Sequence, residues 1–162
     1  MYKFKIESLL RIIFLICLIS IISAYFIEYA LGHQPCNLCL IERIPYILGL
    51  LLIILNYTFI KDEKFIILLL LLTFTFSLLI SVYHFGIEQG FFEESVVCRL
   101  KNVSDIVSKE AILEQLQTKN KSCKDVTFKI FGFSLTTFNI IANLILVIFL
   151  SSFFKNYEKF KK

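Results

Sequence analysis

Four stretches of this chain carry almost no charge, and each is long enough to cross a bilayer. They cover residues 12–30, 44–60, 65–83 and 135–154. A spanning helix needs about 20 apolar residues at a rise of 1.5 Å each. The pattern therefore predicts four membrane helices. Glu28 lies near the far end of the first run, and Pro45 falls in the first turn of the second. Proline is tolerated there because the first helical N–H groups have no partner in any case. The third run is almost pure Leu, Ile and Phe. Polar segments separate the runs: a short break at 31–43, a tight turn at Lys61-Asp62-Glu63-Lys64, and a long connector at 84–134 with seven basic and seven acidic residues. Within that connector Val103, Ile106, Val107, Leu113 and Leu116 recur at roughly helical spacing. This predicts one short amphipathic helix, lying on the membrane surface or serving as a solvated connector.

Composition supports this division. Hydrophobic residues make up 57% and charged residues 19%, against about a quarter charged in soluble domains. An ordinary soluble domain is excluded. The net charge of +4 comes with lysines set beside the apolar runs, which reads as orientation and not as a nucleic-acid patch. Four spans put both termini on one side. That side would hold nine of the seventeen Lys and Arg, whereas the opposite short loop has only Arg43. The lysine-rich side is then cytoplasmic, with both termini. A secretory signal peptide is the rival reading of the first run. Its apolar region exceeds the usual 7–15 residues, and Ile22-Ser23-Ala24 is a poor cleavage match. The expected fold is an all-α membrane protein embedded in lipid, a single domain over 1–162. It would be a four-helix bundle with two extracytoplasmic cysteine-bearing loops, 31–43 and 84–134.

The first of those loops contains Gln34-Pro35-Cys36-Asn37-Leu38-Cys39-Leu40-Ile41-Glu42-Arg43. A C-x-x-C pair can close a small disulfide ring, and it is also half of many zinc sites. The second loop supplies Cys98 and Cys123. An exterior compartment permits disulfides, and four cysteines allow three pairings, the simplest being Cys36–Cys39 with Cys98–Cys123. Closing a loop between Cys98 and Cys123 would constrain the unfolded chain by roughly 3–4 kcal/mol, enough for a structural role. The C-x-x-C ring constrains little, so it points to chemistry. If helical geometry reaches back from Arg43 to Cys39, the two are neighbours on one face. Helix terminus and guanidinium would then favour the Cys39 thiolate. Pro45 disfavours helical geometry at Ile44 and argues against that adjacency. Arg43 would otherwise be a snorkelling anchor, and His84 and Glu88 plain interface polarity. Cys17, inside the first run, reads as a packing residue.

QPCNLCLIER, the run Tyr83-His84-Phe85-Gly86-Ile87-Glu88-Gln89-Gly90, the second two-cysteine loop and the four spans together resemble the disulfide bond formation protein B (DsbB) family, over nearly the whole chain. The resemblance implies an enzyme of the bacterial cytoplasmic (inner) membrane with its cysteine loops in the periplasm. Such a protein is a thiol–quinone oxidoreductase that reoxidises a periplasmic DsbA-like dithiol oxidase and reduces a quinone, ubiquinone or menaquinone, of the membrane pool. It implies redox-active disulfides Cys36–Cys39 and Cys98–Cys123. Cys98 would be attacked by the partner, Cys123 would pass the exchange to Cys36, and Cys39 would face the quinone with Arg43 and His84. The Phe-rich, Trp-free loop and fourth span depart from the family, which bears on the lining of the quinone pocket. The vitamin K epoxide reductases, a second quinone-coupled family, place their loop cysteines before the C-x-x-C motif, opposite to the order here. Outside enzymes, the alternatives are a structural membrane protein with loop disulfides or a zinc-binding membrane sensor.

Overall fold

The computed structural model describes residues 2–58, 62–94, 98, 123–124, 128–130 and 132–161. Helix α1 runs Tyr2–Tyr29, the short α2 Asn37–Ile41, α3 Ile44–Thr58 and α4 Glu63–Glu88. A two-residue antiparallel ribbon follows, β1 (Lys129–Ile130) with β2 (Phe133–Ser134), and then α5, Leu135–Lys161. Among the described residues, four helical segments are long and apolar enough to cross a membrane: Ile6–Tyr29, Asn37–Thr58, Glu63–Glu88 and Leu135–Tyr157. The fold is an all-α, four-helix membrane protein.

Several boundaries differ from those expected. α1 begins ten residues before the apolar run at 12, and α5 continues past 154. α4 outlasts the run at 65–83 and carries His84 and Glu88 in its final turns, where His84 is only 1% exposed. These polar groups are covered by protein, which hydropathy alone cannot see. The ribbon fell inside what reads as a polar connector. The amphipathic helix expected around Val103–Leu116 lies outside the described residues. So does Lys61 of the polar turn, after which the Asp62 carboxylate caps α4 by accepting from the Phe65 N–H at 3.4 Å.

Neighbouring helices pack in chain order, α1 on α3, α3 on α4 and α4 on α5. At one end of the bundle Leu10, Ile13, Ile53, Ile66, Leu70, Phe74 and Leu150 form a continuous buried core. The opposite helix faces leave Ile19, Ile22, Phe76, Leu79 and Ile148 more than half exposed. In lipid such faces carry no penalty, because tails are as apolar as the side chains they meet. Gly49 sits where α1, α3 and α4 meet. A Cβ there would meet Phe74 Cζ at 3.2 Å and Cys17 Sγ at 3.4 Å, so the small residue lets three helices approach. Cys17 is fully buried in this packing.

The exit from α4 is built by two glycines. Gly90 takes a left-handed φ of +78°, open to glycine at no steric cost. Behind it, the Phe91 and Phe92 N–H groups donate to the Gly86 carbonyl at 2.8 and 3.2 Å. The Phe92 ring folds back over Gly86, where any Cβ would collide with it, and stacks on Tyr83 at 5.6 Å. The chain thus turns back over its own helix before it heads for Cys98.

Candidate functional site

Pro45 decides the local geometry of the cysteine motif. It has no N–H for the Ile41 carbonyl four residues back, and its ring crowds that carbonyl. α2 therefore stops at Ile41 and α3 restarts at Ile44. Glu42 donates its N–H to Leu38 at 2.9 Å, and Arg43 donates to Leu40 at 3.2 Å, a tightened last turn. The helical adjacency of Cys39 and Arg43 is broken here. Glu42 and Arg43 part company instead. Arg43 turns to α1, where it pairs with Glu28 at 2.5 Å and lies 5.0 Å over the Tyr25 ring. Glu42 turns into the bundle.

Cys36 caps α2, its sulfur accepting the Cys39 N–H at 3.3 Å. The helix terminus thus favours Cys36, not Cys39 as the sequence suggested. Cys36 and Cys39 are free thiols in this structure, with their sulfurs 2.7 Å apart. Cys98 and Cys123 are joined, with Cα atoms 5.9 Å apart. Their bridge packs with Cys36, Leu38 and Ile87 in one apolar cluster, so both cysteine pairs meet at the same end of the bundle. The Cys36 thiol, just outside the spans, is held far below the ordinary thiol value, down to about 4. The first cause is the hydrogen bond with the Cys39 thiol, and His84 adds to it against the opposing effect of burial.

His84 links these thiols to a buried polar network. Its Nε2 lies 3.5 Å from Cys36 Sγ, and its Nδ1 lies 2.9 Å from a Glu42 carboxylate oxygen. The other Glu42 oxygen accepts from Asn139 Nδ2 at 2.9 Å. Asn139 Nδ2 also reaches Ser81 Oγ at 2.8 Å, and its carbonyl accepts from Tyr46 OH at 2.5 Å. On the other side of His84, Thr136 Oγ1 donates to Glu88 Oε1 at 2.6 Å. The second Glu88 oxygen is buried and has no partner among the described residues. Polar groups at such depth are costly unless satisfied, so they mark function by default.

A cavity of about 360 Å³ opens onto this network. Its wall includes Cys36, Cys39, Arg43, His84 and Cys123. Of the site residues expected from the sequence (Cys36, Cys39, Arg43, His84, Cys98 and Cys123), Cys98 alone is not part of that wall, and it is bonded to Cys123. Glu42, Asn139, Thr136, Tyr46 and Ser81 were not foreseen. A signal for them existed. Ser81, His84 and Glu88 on α4, and Thr136, Asn139 and Asn143 on α5, each follow an i, i+3, i+7 stripe, which places polar groups on one helix face.

The family model of the disulfide bond formation protein DsbB matches residues 7–153. The chain is also similar to the uncharacterized protein RP370 of Rickettsia prowazekii (strain Madrid E), with 32% identity over 151 residues, covering 91% of this chain and 86% of the relative. No solved structure matches it.

Proposed function

The chain belongs to the DsbB family of disulfide bond formation membrane proteins, and we propose that its activity is the transfer of electrons from a periplasmic DsbA-like dithiol oxidase to a membrane quinone. The observation that carries this reading is that Cys36, Cys39 and Cys123 share the wall of one cavity with His84 and Arg43. A dithiol at the membrane and a second cysteine pair that can deliver electrons to it are what such a relay needs. A purely structural disulfide protein has no use for the buried His84–Glu42 pair beside its thiols.

In this scheme the partner's thiolate attacks Cys98, breaking the Cys98–Cys123 bond and releasing the Cys123 thiolate. That thiolate attacks Cys36 of the Cys36–Cys39 disulfide, which frees Cys39. The partner's second thiol then resolves its bond to Cys98, and the partner leaves oxidised. Two electrons and two protons now rest on this chain. Cys39 gives up that pair at the cavity while Cys36 and Cys39 rejoin and Cys123 returns to Cys98. Quinone, when bound, supplies the two-electron, two-proton acceptor. The cavity fits such a group: its volume lies in the range of small-ligand sites, Phe138 and Ala142 give it an apolar wall, and the Glu88 oxygen without a partner among the described residues could accept from a quinol hydroxyl. Arg43 and His84 would hold the ring. His84 Nε2 is within 4.8 Å of both sulfurs and can take a thiol proton while Glu42 holds Nδ1. In orientation, the lysine-rich termini are cytoplasmic and the cysteine loops periplasmic.

The test mixes detergent-purified protein with a reduced dithiol oxidase and ubiquinone or menaquinone, following quinone absorbance. Quinone reduction at the expense of partner thiols is expected. If the partner is oxidised without quinone loss, or neither reacts, the reading falls. In spheroplasts, an impermeant thiol reagent should label reduced Cys98 and Cys123 from outside. Labelling only after lysis would reverse the orientation.

A further inference from the structure

We propose that the reduced Cys36–Cys39 pair, with His84, is a binding site for one thiophilic divalent cation of the zinc class, and that the bound ion withholds both thiols from oxidation. The site deepens the function proposed above by using its central thiols, but it needs neither quinone nor partner.

The ligand atoms Cys36 Sγ, Cys39 Sγ and His84 Nε2 lie within 4.8 Å of one another. Sulfur and imidazole ligands of tetrahedral zinc, at about 2.3 and 2.0–2.1 Å from the ion, stand about 3.5 Å apart. Cys36 Sγ and His84 Nε2 are separated by 3.5 Å. The two sulfurs, 2.7 Å apart, must open to about 3.8 Å to share such an ion. Rotation of Cys39, the less buried of the two, provides that opening. His84 is already oriented as a ligand. Glu42 accepts from Nδ1 at 2.9 Å, which leaves the Nε2 lone pair for the metal, the carboxylate–histidine arrangement common behind zinc sites. The fourth position faces the cavity, where Glu88 Oε1 is 3.8 Å from His84 Nε2 and Glu88 Oε2 is buried with no partner among the described residues.

Two thiolates and an imidazole select zinc or cadmium over magnesium or calcium. Binding moves no electrons. The cation displaces whatever protons the two sulfurs hold, and the two thiolates neutralise the ion's charge. The disulfide form has no thiolate to offer, so binding follows the redox state of the pair.

The experiment uses the full-length chain with Cys98→Ser and Cys123→Ser, so that the motif is the metal-competent pair, and Co²⁺ as probe. Reduced with a phosphine, the protein should take up one Co²⁺ per chain, with thiolate-to-cobalt charge-transfer and tetrahedral d–d bands that Zn²⁺ abolishes. Oxidising the pair should remove the bands from the same protein without any mutation. His84→Ala should weaken binding at least tenfold and Glu42→Gln about tenfold. The proposal is overturned if the reduced protein shows no thiolate–cobalt band, if the band survives oxidation, or if His84→Ala binds as tightly as its parent. In the protein with all its cysteines, Zn²⁺ should stop quinone reduction at one equivalent and a chelator should restore it. Normal cobalt binding without any quinone reduction would sink the relay and leave the metal site. Normal turnover without cobalt binding would do the reverse.

Discussion

The two ends of this bundle are held together by different physics. Around Phe74, Ile66, Leu70 and Leu150 the helices meet through buried hydrocarbon, and many side chains of the right size would serve. Around His84, Glu42, Asn139 and Thr136 they meet through directed hydrogen bonds between groups buried at membrane depth. Dispersion contacts are individually weak and collectively forgiving. A buried polar network has no such tolerance, because each lost partner leaves another group unsatisfied. One end keeps the helices together, and the other keeps two sulfurs, an imidazole and a cavity in register.

The sharpest way to break this contrast is to remove a cysteine of the relay. Cys98→Ser should abolish oxidation of the partner yet leave chemically reduced Cys36 and Cys39 able to reduce quinone. Cys123→Ser should trap the partner on Cys98 as a mixed disulfide, seen on a non-reducing gel. If Cys98→Ser turns over the partner at the native rate, the relay order is wrong.

Next come the polar-end residues that are not sulfur. His84→Ala should lower quinone reduction by about 10²–10³-fold, the range of a lost acid–base group. Glu42→Gln should follow it with a smaller loss. Arg43→Met should cost about tenfold, felt mainly as weaker quinone binding, and Arg43→Lys should fall between, since it keeps the charge but not the planar fork. Full activity in Arg43→Lys would leave Arg43 as an anchor on Glu28 and Tyr25.

Acidity gives a further test of the same end. The lowered Cys36 thiol is a thiolate above about pH 4. In chelator-treated, reduced protein its alkylation rate should stay flat from pH 7 down to about 5 and drop as pH falls through about 4. An ordinary thiol would already lose tenfold per pH unit below its value near 8.5. A rate that falls steadily from pH 8 would remove the special status of Cys36.

The apolar end should answer in the opposite way. Phe74→Ala should lower the thermal midpoint in detergent by several degrees with turnover at 25 °C within about twofold. Ser77→Ala should be the smallest change of all. Its hydroxyl is buried without a partner among the described residues, so its removal should be neutral or slightly stabilising, within about 0.5 kcal/mol. A large loss of activity in either variant would show that the two ends are not separable.

Most of the helical frame was legible because lipid imposes long uninterrupted apolar runs, and nothing else in the chain imitates them. The ends of those runs were not. α4 hides His84 and Glu88 inside protein, so the polarity that looked like a loop belongs to the candidate site. The C-x-x-C motif reads as chemistry because its ring is too short for much else. What it touches was not, since Pro45 breaks the helix and sends Arg43 to Glu28. Glu42 looked like a mere neighbour of the motif, yet its carboxylate reaches residues 42 and 97 positions away. Such contacts depend on which helix faces meet, and an i, i+3, i+7 stripe proposes a face without naming its partner.

The glycine-built exit of α4 also sets a leash. Cys98 follows Gly90 by eight residues, and Cys123 precedes Phe128 by five. At 3.3–3.6 Å per residue, chains of those lengths reach at most about 29 and 18 Å. In the proposed relay Cys98 and Cys123 would therefore stay within that reach of Cys36 and Cys39, at a local concentration on the millimolar scale of a short tether. Encounter with the proposed partner would then be the concentration-dependent event, and that partner would not need to bind tightly for the hand-over to proceed.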